Sequence, residues 1–177
     1  VWFADTTRNP WNPEQGSSGS AAGSSAATAA GLVPFAIGTE TYGSIVSPAT
    51  RCGVTGLRPT YGRVTRAGAM ALSWSMDKVG PICRSAEDCA IVFDAIRGAD
   101  PNDPTLIEAG FTYREQDLSN LRIGYFKDAF DEDYPFQKQD RQSLEVLRKL
   151  GADLVTVDLD VELPVDAMTN ILLAEAA

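Results

Sequence analysis

Residues 16–31 read GSSGSAAGSSAATAAG, and thirteen residues beyond Gly31 stands Ser44, in TYGSIVSPA. No side chain in the first run is larger than threonine, so its backbone can approach other backbone, or a ligand, closely. Glycine also removes the Cβ barrier to unusual dihedral angles. Any fold this chain adopts must place something against that bare surface. Two hydroxyls, Ser20 and Ser44, lie 24 residues apart, each beside a glycine, in a chain without histidine. Serine is a weak acid that an adjacent base turns into a nucleophile, and here that base cannot be imidazole.

The length of 177 residues suffices for one domain with a real core. A hydrophobic fraction of 44% and a charged fraction of 22% are ordinary for a soluble globular protein. The longest apolar stretch, Ala29 to Ile37, is interrupted by Gly31 and Pro34 and is too short to span a bilayer, so no membrane association is expected. No basic segment precedes an apolar one at the N-terminus, so no signal peptide is visible, and Val1-Trp2-Phe3 reads more like a core segment than a start. Net charge is −9, with many of the acids beyond residue 99, as in Asp128-Ala-Phe-Asp-Glu-Asp133, which reads as a solvated face. The absence of a basic stripe argues against nucleic-acid binding by this segment. Cys52, Cys83 and Cys89 form no CxxC pair and leave one over in any disulfide scheme. They read as buried reduced thiols, which favours a reducing, cytoplasmic compartment.

Three zones differ in composition. Residues 1–82 are rich in Gly, Ser, Ala and Thr and almost free of acids after Glu40. The small side chains from Ser24 to Ala30 suit close helix packing. Residues 83–98 predict one helix, with Ser85 as cap, Asp88 at the capping-box position, Cys89, Val92, Phe93 and Ile96 on one face, and Gly98 as stop. Asp100 to Gly110 reads as a surface loop. Beyond it, Leu121 to Phe126 predicts a strand, Asp140 to Leu150 a helix ended by Gly151, Leu154 to Leu159 a second strand and Met168 to Ala177 a further helix. That order implies a parallel pair with a crossover, hence an α/β architecture.

Most familiar chemistries are excluded. Gly38-Thr-Glu-Thr-Tyr-Gly43-Ser44 has P-loop glycine spacing, but lacks the lysine before the hydroxyl residue, and Glu40 would repel phosphate; no GxGxxG occurs. Neither a nucleotide nor any other cofactor is expected. A metal site is not expected either, because histidine is absent and the acids of residues 128–133 fit no calcium-loop spacing. There is no GxSxG elbow. One Ser-x-x-Lys occurs, Ser75-Met-Asp-Lys78, but Val79-Gly80-Pro81 follows at once and discourages the helix that would bring amine and hydroxyl together.

What remains is the Ser20/Ser44 pair, and it carries a specific resemblance. Gly19 to Gly31 (GSAAGSSAATAAG) is similar to the serine-rich block of the amidase signature family. Gly38 to Ala49 (GTETYGSIVSPA) resembles that family's nucleophile segment. Cys52 to Val64 (CGVTGLRPTYGRV) and Met76 to Pro81 (MDKVGP) follow the family in order and spacing. The linked blocks cover about half the chain.

The resemblance implies a mixed α/β sheet covered by helices, incomplete at both ends because the chain resembles an internal part of a longer protein. It divides a partial domain over residues 1–177 into serine-rich core blocks (1–98), a loop (99–120) and a peripheral α/β segment (121–177). It also implies hydrolysis of a small-molecule carboxamide through a Ser–Ser–Lys triad without cofactor. Ser44 would be the nucleophile, and Ser20, on a cis peptide, the proton relay. Backbone N–H groups of Thr41, Tyr42, Gly43 and Ser44 would form the oxyanion hole. The family's lysine lies farther upstream than the residues preceding Ser20, and none of Lys78, Lys127, Lys138 and Lys149 occupies the matching motif, so the chain alone is expected to be inactive. Tyr42 stands where the family commonly has glycine, so its side chain must point away from the oxyanion. Glu40 and Val46 replace the frequent Asp and Arg around the nucleophile. Three roles follow: an amide hydrolase, the glutamine-hydrolysing component of a tRNA-dependent amidotransferase (its A-type chain), or a non-catalytic relic that binds a ligand.

Overall fold

The computed structural model describes residues 5–158 and 163–177. Val1-Trp2-Phe3 and the end of the expected strand at Leu159 lie outside the described residues. The chain divides into two units: Val1–Tyr113 together with Asp166–Ala177, and Arg114–Val165.

The first unit opens with a short antiparallel hairpin of β1 (Arg8–Asn9) and β2 (Asn12–Gly16). The small-residue run then forms helix α1 (Ala22–Ala29). Two of its three polar side chains are bonded: the Thr28 hydroxyl donates to the Ser24 carbonyl at 2.9 Å, and the Ser24 hydroxyl donates to the Ile37 carbonyl at 2.9 Å, while the buried Ser25 hydroxyl has no partner among the described residues. Strand β3 (Phe35–Glu40), helix α2 (Val46–Cys52), strand β4 (Thr55–Gly56), strand β5 (Lys78–Cys83) and helix α3 (Ala86–Ile96) follow. The three strands make an antiparallel sheet in the order β3-β5-β4, with Gly38 opposite Gly80 and Glu40 opposite Lys78.

That register explains two glycines by close approach. A Cβ on Gly38 would fall 2.9 Å from the Ala21 Cβ, and one on Gly80 would fall 2.2 Å from the Leu57 carbonyl oxygen. Ile45, Ile82, Cys52, Cys83, Cys89 and Phe93 form the core around them. Ile45 and Ile82 are fully buried, each contributing about 1.5–3 kcal/mol of transfer free energy. The three cysteines are free and buried. Burial, aided by contact with Cys89, pushes the Cys83 thiol up to about 12, so it stays protonated.

Helix α3 begins as the sequence predicts, with the Ser85 hydroxyl accepting from the Asp88 amide at 3.0 Å. Segment 57–77, between β4 and β5, is pinned through buried Arg66. Its guanidinium donates to the Trp74 carbonyl at 2.6 Å and the Tyr61 hydroxyl at 2.8 Å, and its amide donates to Asp103 at 2.9 Å. The Ile107 amide donates to the Gly62 carbonyl at 2.8 Å, which ties the 100–110 loop to the same segment. The last helix, α6 (Val165–Ala176), returns to this unit. Glu175 accepts from the hydroxyls of Ser73 and Ser75 and from the Ser75 amide. Residues 99–113 and 166–177 thus group with the serine-rich segment.

The second unit starts with a 3-10 turn (Leu118–Asn120). It continues with strand β6 (Arg122–Tyr125), helices α4 (Lys127–Asp131) and α5 (Gln137–Lys149), and strand β7 (Asp153–Thr156). Strands β6 and β7 pair in parallel, Arg122 opposite Asp153 through Tyr125 opposite Thr156, the arrangement a helical crossover permits. Helix α5 begins before the expected Asp140, where the Gln137 side chain donates to the Phe130 and Glu132 carbonyls. Leu144 is its buried residue, while Leu150 lies past its end and is exposed. The architecture is mixed α/β, as expected. Among the described residues, no helix is long and apolar enough to cross a membrane.

Candidate active site

Ser44 sits in the turn that joins β3 to α2, and Ser20 just precedes α1. The two segments are fastened by main chain: the Ala21 amide donates to the Ser44 carbonyl at 3.0 Å. A second tie joins the Ser18 and Ser47 hydroxyls at 2.7 Å. The peptide between Gly19 and Ser20 is cis, and Ser18 before it has φ +64°. Ser20 is exposed and Ser44 half-buried. Among the described residues neither hydroxyl is hydrogen-bonded, to the other or to any further group; the segments that carry them are joined by the Ala21–Ser44 main-chain bond and the Ser18–Ser47 hydroxyl bond. Gly43 has φ +106°, a conformation that L side chains rarely adopt, and it turns the chain directly before Ser44.

Beneath this turn lies Glu40, whose side chain is fully buried. One carboxylate oxygen accepts the Ile45 amide at 2.8 Å and the Val46 amide at 2.9 Å. The other accepts from the Arg58 guanidinium at 3.3 Å. Helix α2 has no side-chain cap of its own at Ile45, and Glu40 does that work from the preceding strand, placing negative charge where the helix dipole favours it. The substitution of the family's frequent Asp and Arg therefore leaves no empty support: Glu40 takes main-chain donors and Arg58.

The amides of Tyr42, Gly43 and Ser44 donate to no protein acceptor among the described residues. The Thr41 carbonyl is occupied, accepting from the Lys78 ammonium at 3.2 Å, and the same ammonium donates to the Met76 carbonyl. The Thr41 hydroxyl donates to Asp77, whose other oxygen accepts the Leu72 and Ser73 amides at 2.7 and 3.0 Å. Burial, then the nearby Arg58 guanidinium, lowers the Lys78 pKa, against the opposing pull of Glu40 and Asp77. The Tyr42 side chain is 76% exposed, standing out from the turn. Beside it opens a groove of about 440 Å³ lined by Thr41, Tyr42, Arg58, Tyr61, Lys78 and Met168, among others.

Ser75 and Lys78 do not pair. Ser75 donates to Glu175, and Lys78 begins a strand and not a helical turn. Among the described residues, no group of His, Cys, Asp and Glu could hold a metal ion. Arg58, Asp77 and Lys78 escaped the sequence reading as site residues. They lie inside the blocks quoted above, but only the pairing of β3 with β5 brings Asp77 and Lys78 to Thr41.

The Amidase family matches residues 3–177. The A chain component of glutamyl-tRNA(Gln) amidotransferase from Roseiflexus castenholzii is 46% identical over 164 residues, which are 86% of this chain and 32% of that protein. The protein of the same name from Neisseria meningitidis serogroup C is 40% identical over 182 residues, 99% of this chain and 38% of that protein. Among solved structures, the corresponding amidotransferase component of Thermotoga maritima matches with a TM-score of 0.87 at 35% identity, over 98% of this chain and 40% of that one. The peptide amidase of Stenotrophomonas maltophilia matches with a TM-score of 0.83 at 38% identity, over 96% of this chain and 37% of that one. The chain thus spans 32–40% of the length of these relatives.

Proposed function

The chain belongs to the Amidase family, and on that premise we propose that it carries the nucleophile and proton-relay segments of an enzyme that cleaves carboxamide C–N bonds. In this reading the Ser44 hydroxyl attacks the carbonyl carbon and passes its proton to Ser20, which passes its own to a lysine outside these 177 residues. The carbonyl oxygen, now an anion, accepts from the free amides of Tyr42, Gly43 and Ser44, each such donor being worth roughly 2.7–4 kcal/mol in the transition state. The tetrahedral intermediate collapses, the relayed proton leaves with the amine, and water releases the acyl group from Ser44. Without that lysine, the 177 residues alone do not turn over.

The observation that carries the reading is the hydrogen bond from the Ala21 amide to the Ser44 carbonyl at 3.0 Å, which holds the two serine segments side by side next to unclaimed amides. In the full-length protein, a fluorophosphonate probe is expected to label Ser44, and Ser44→Ala to abolish labelling. Labelling that survives the substitution overturns the assignment, and wild-type protein that never labels favours the non-catalytic relic.

A second reading, the glutamine-hydrolysing component of a tRNA-dependent amidotransferase, which releases ammonia from glutamine, is favoured by amidotransferase relatives that are 40–46% identical. It is expected to show glutaminase activity and to co-purify with a B-type partner. A full-length protein that cleaves other amides alone and ignores glutamine counts against it.

A further inference from the structure

The peptide between Thr41 and Tyr42 is gripped from one side. Lys78 holds the Thr41 carbonyl, and Asp77 accepts from the Thr41 hydroxyl. In a trans peptide the carbonyl and the following N–H point in opposite directions. A cation fixed on the Thr41 oxygen therefore turns the Tyr42 N–H away from Lys78, and that N–H is one of the three without a protein acceptor. A donor on the carbonyl also polarises the amide and strengthens its N–H. Lys78 is itself held by a second acceptor, the Met76 carbonyl, and it forms one wall of the groove beside Tyr42. Building on the catalytic reading above, we propose that Lys78 is a positioning residue for the oxyanion site: its grip on the Thr41 carbonyl aims and strengthens the Tyr42 N–H that receives the developing negative charge.

The charged groups around Lys78 are Glu40 on β3, Asp77 just before β5, and Arg58 and Arg66 on segment 57–77. No anion of this set is hydrogen-bonded to the ammonium, whose bonds go to two carbonyls. Its charge is therefore shared between two peptides, that of Met76 and the one that precedes Tyr42.

The test is the rate of fluorophosphonate labelling of Ser44 in the full-length protein, followed as a function of probe concentration. Removing an oxyanion donor outright costs about 10²–10³ in rate. Misdirecting one is expected to cost about tenfold to a hundredfold, so Lys78→Met should lower the maximal labelling rate by that factor and leave the half-saturating concentration within about twofold. Lys78→Arg should restore most of the rate. It should also remove the alkaline fall in rate that the wild type shows as Lys78 loses its proton, at a pH below that of a free lysine. Lys78→Met labelling at the wild-type maximal rate, or slowing only through the half-saturating concentration, overturns the proposal. Should Lys78→Met not fold, Lys78→Leu, which likewise has no donor, takes its place with the same expected and refuting outcomes. The two readings fail separately: Lys78 loses its role if Lys78→Met labels normally while Ser44→Ala does not label, and the catalytic reading falls if Ser44→Ala still labels.

Discussion

Replacing Glu40 tests the support beneath the nucleophile turn. The carboxylate is fully buried and makes two short bonds to the Ile45 and Val46 amides, plus a longer one to Arg58. Glu40→Gln keeps the size and one acceptor oxygen but removes the charge. A hydrogen bond to a charged group contributes about 1.5–3 kcal/mol, against about 0.5–1.5 for a neutral one, so the two amide bonds together lose about 2 kcal/mol. Arg58 is 54% exposed, so losing that pair adds at most about 1 kcal/mol. The total is about 2–3 kcal/mol. Glu40→Ala removes both amide bonds and is expected to cost about 3–6 kcal/mol. Urea unfolding followed by tryptophan fluorescence measures both, as the midpoint shift at constant m-value; Trp11 and Trp74 report from the same unit. If Glu40→Gln unfolds within about 0.5 kcal/mol of wild type, or Glu40→Ala no earlier than Glu40→Gln, the carboxylate does not support the turn as argued.

Gly80→Ala would set a methyl group 2.2 Å from the Leu57 carbonyl and 2.7 Å from Pro59. Overpacking of about 2–3 kcal/mol corresponds to a fall in Tm of about 4–12 °C, whereas Gly23→Ala, in open space within α1, should raise Tm slightly; calorimetry showing equal shifts would refute the packing argument. Bonds from Thr105, then from the Arg66 amide, hold the Asp103 carboxyl below the usual carboxylate range. Its contribution to stability is therefore complete above a pH of about 4 and lost as pH falls through the lower folded value. Urea midpoints measured from neutral pH downward should fall less steeply for Asp103→Asn, and an unchanged slope would remove Asp103 from the acid response.

Local signals were legible in the sequence and long-range pairing was not. Ser85 with Asp88 marks the start of α3 because a cap is written in adjacent residues. The spacing of Leu144 and Leu147 marks α5, although Leu150 at the same spacing falls past the helix end. The strand–helix–strand order yields the parallel β6–β7 pair by a chain-crossing rule alone. By contrast, β3 and β5 are short, interrupted by glycine or proline, and far apart in sequence, so their antiparallel register has no local signature. With that register hidden, Lys78 could be seen only as the end of a Ser-x-x-Lys, when its partners are the Thr41 and Met76 carbonyls. Glu40 shows the same limit: beside its relatives it reads as half of a missing polar pair, yet its partners are main-chain groups, which no residue type records.

The link between Ala21 and Ser44 runs from backbone to backbone, so it is indifferent to what either residue carries as a side chain. Evolution can exchange or erase the hydroxyl at position 44 and leave the two segments of the site in their relative places. Chemistry and scaffold are inherited separately here: a descendant could lose its reaction, or acquire a different one, without first having to refold.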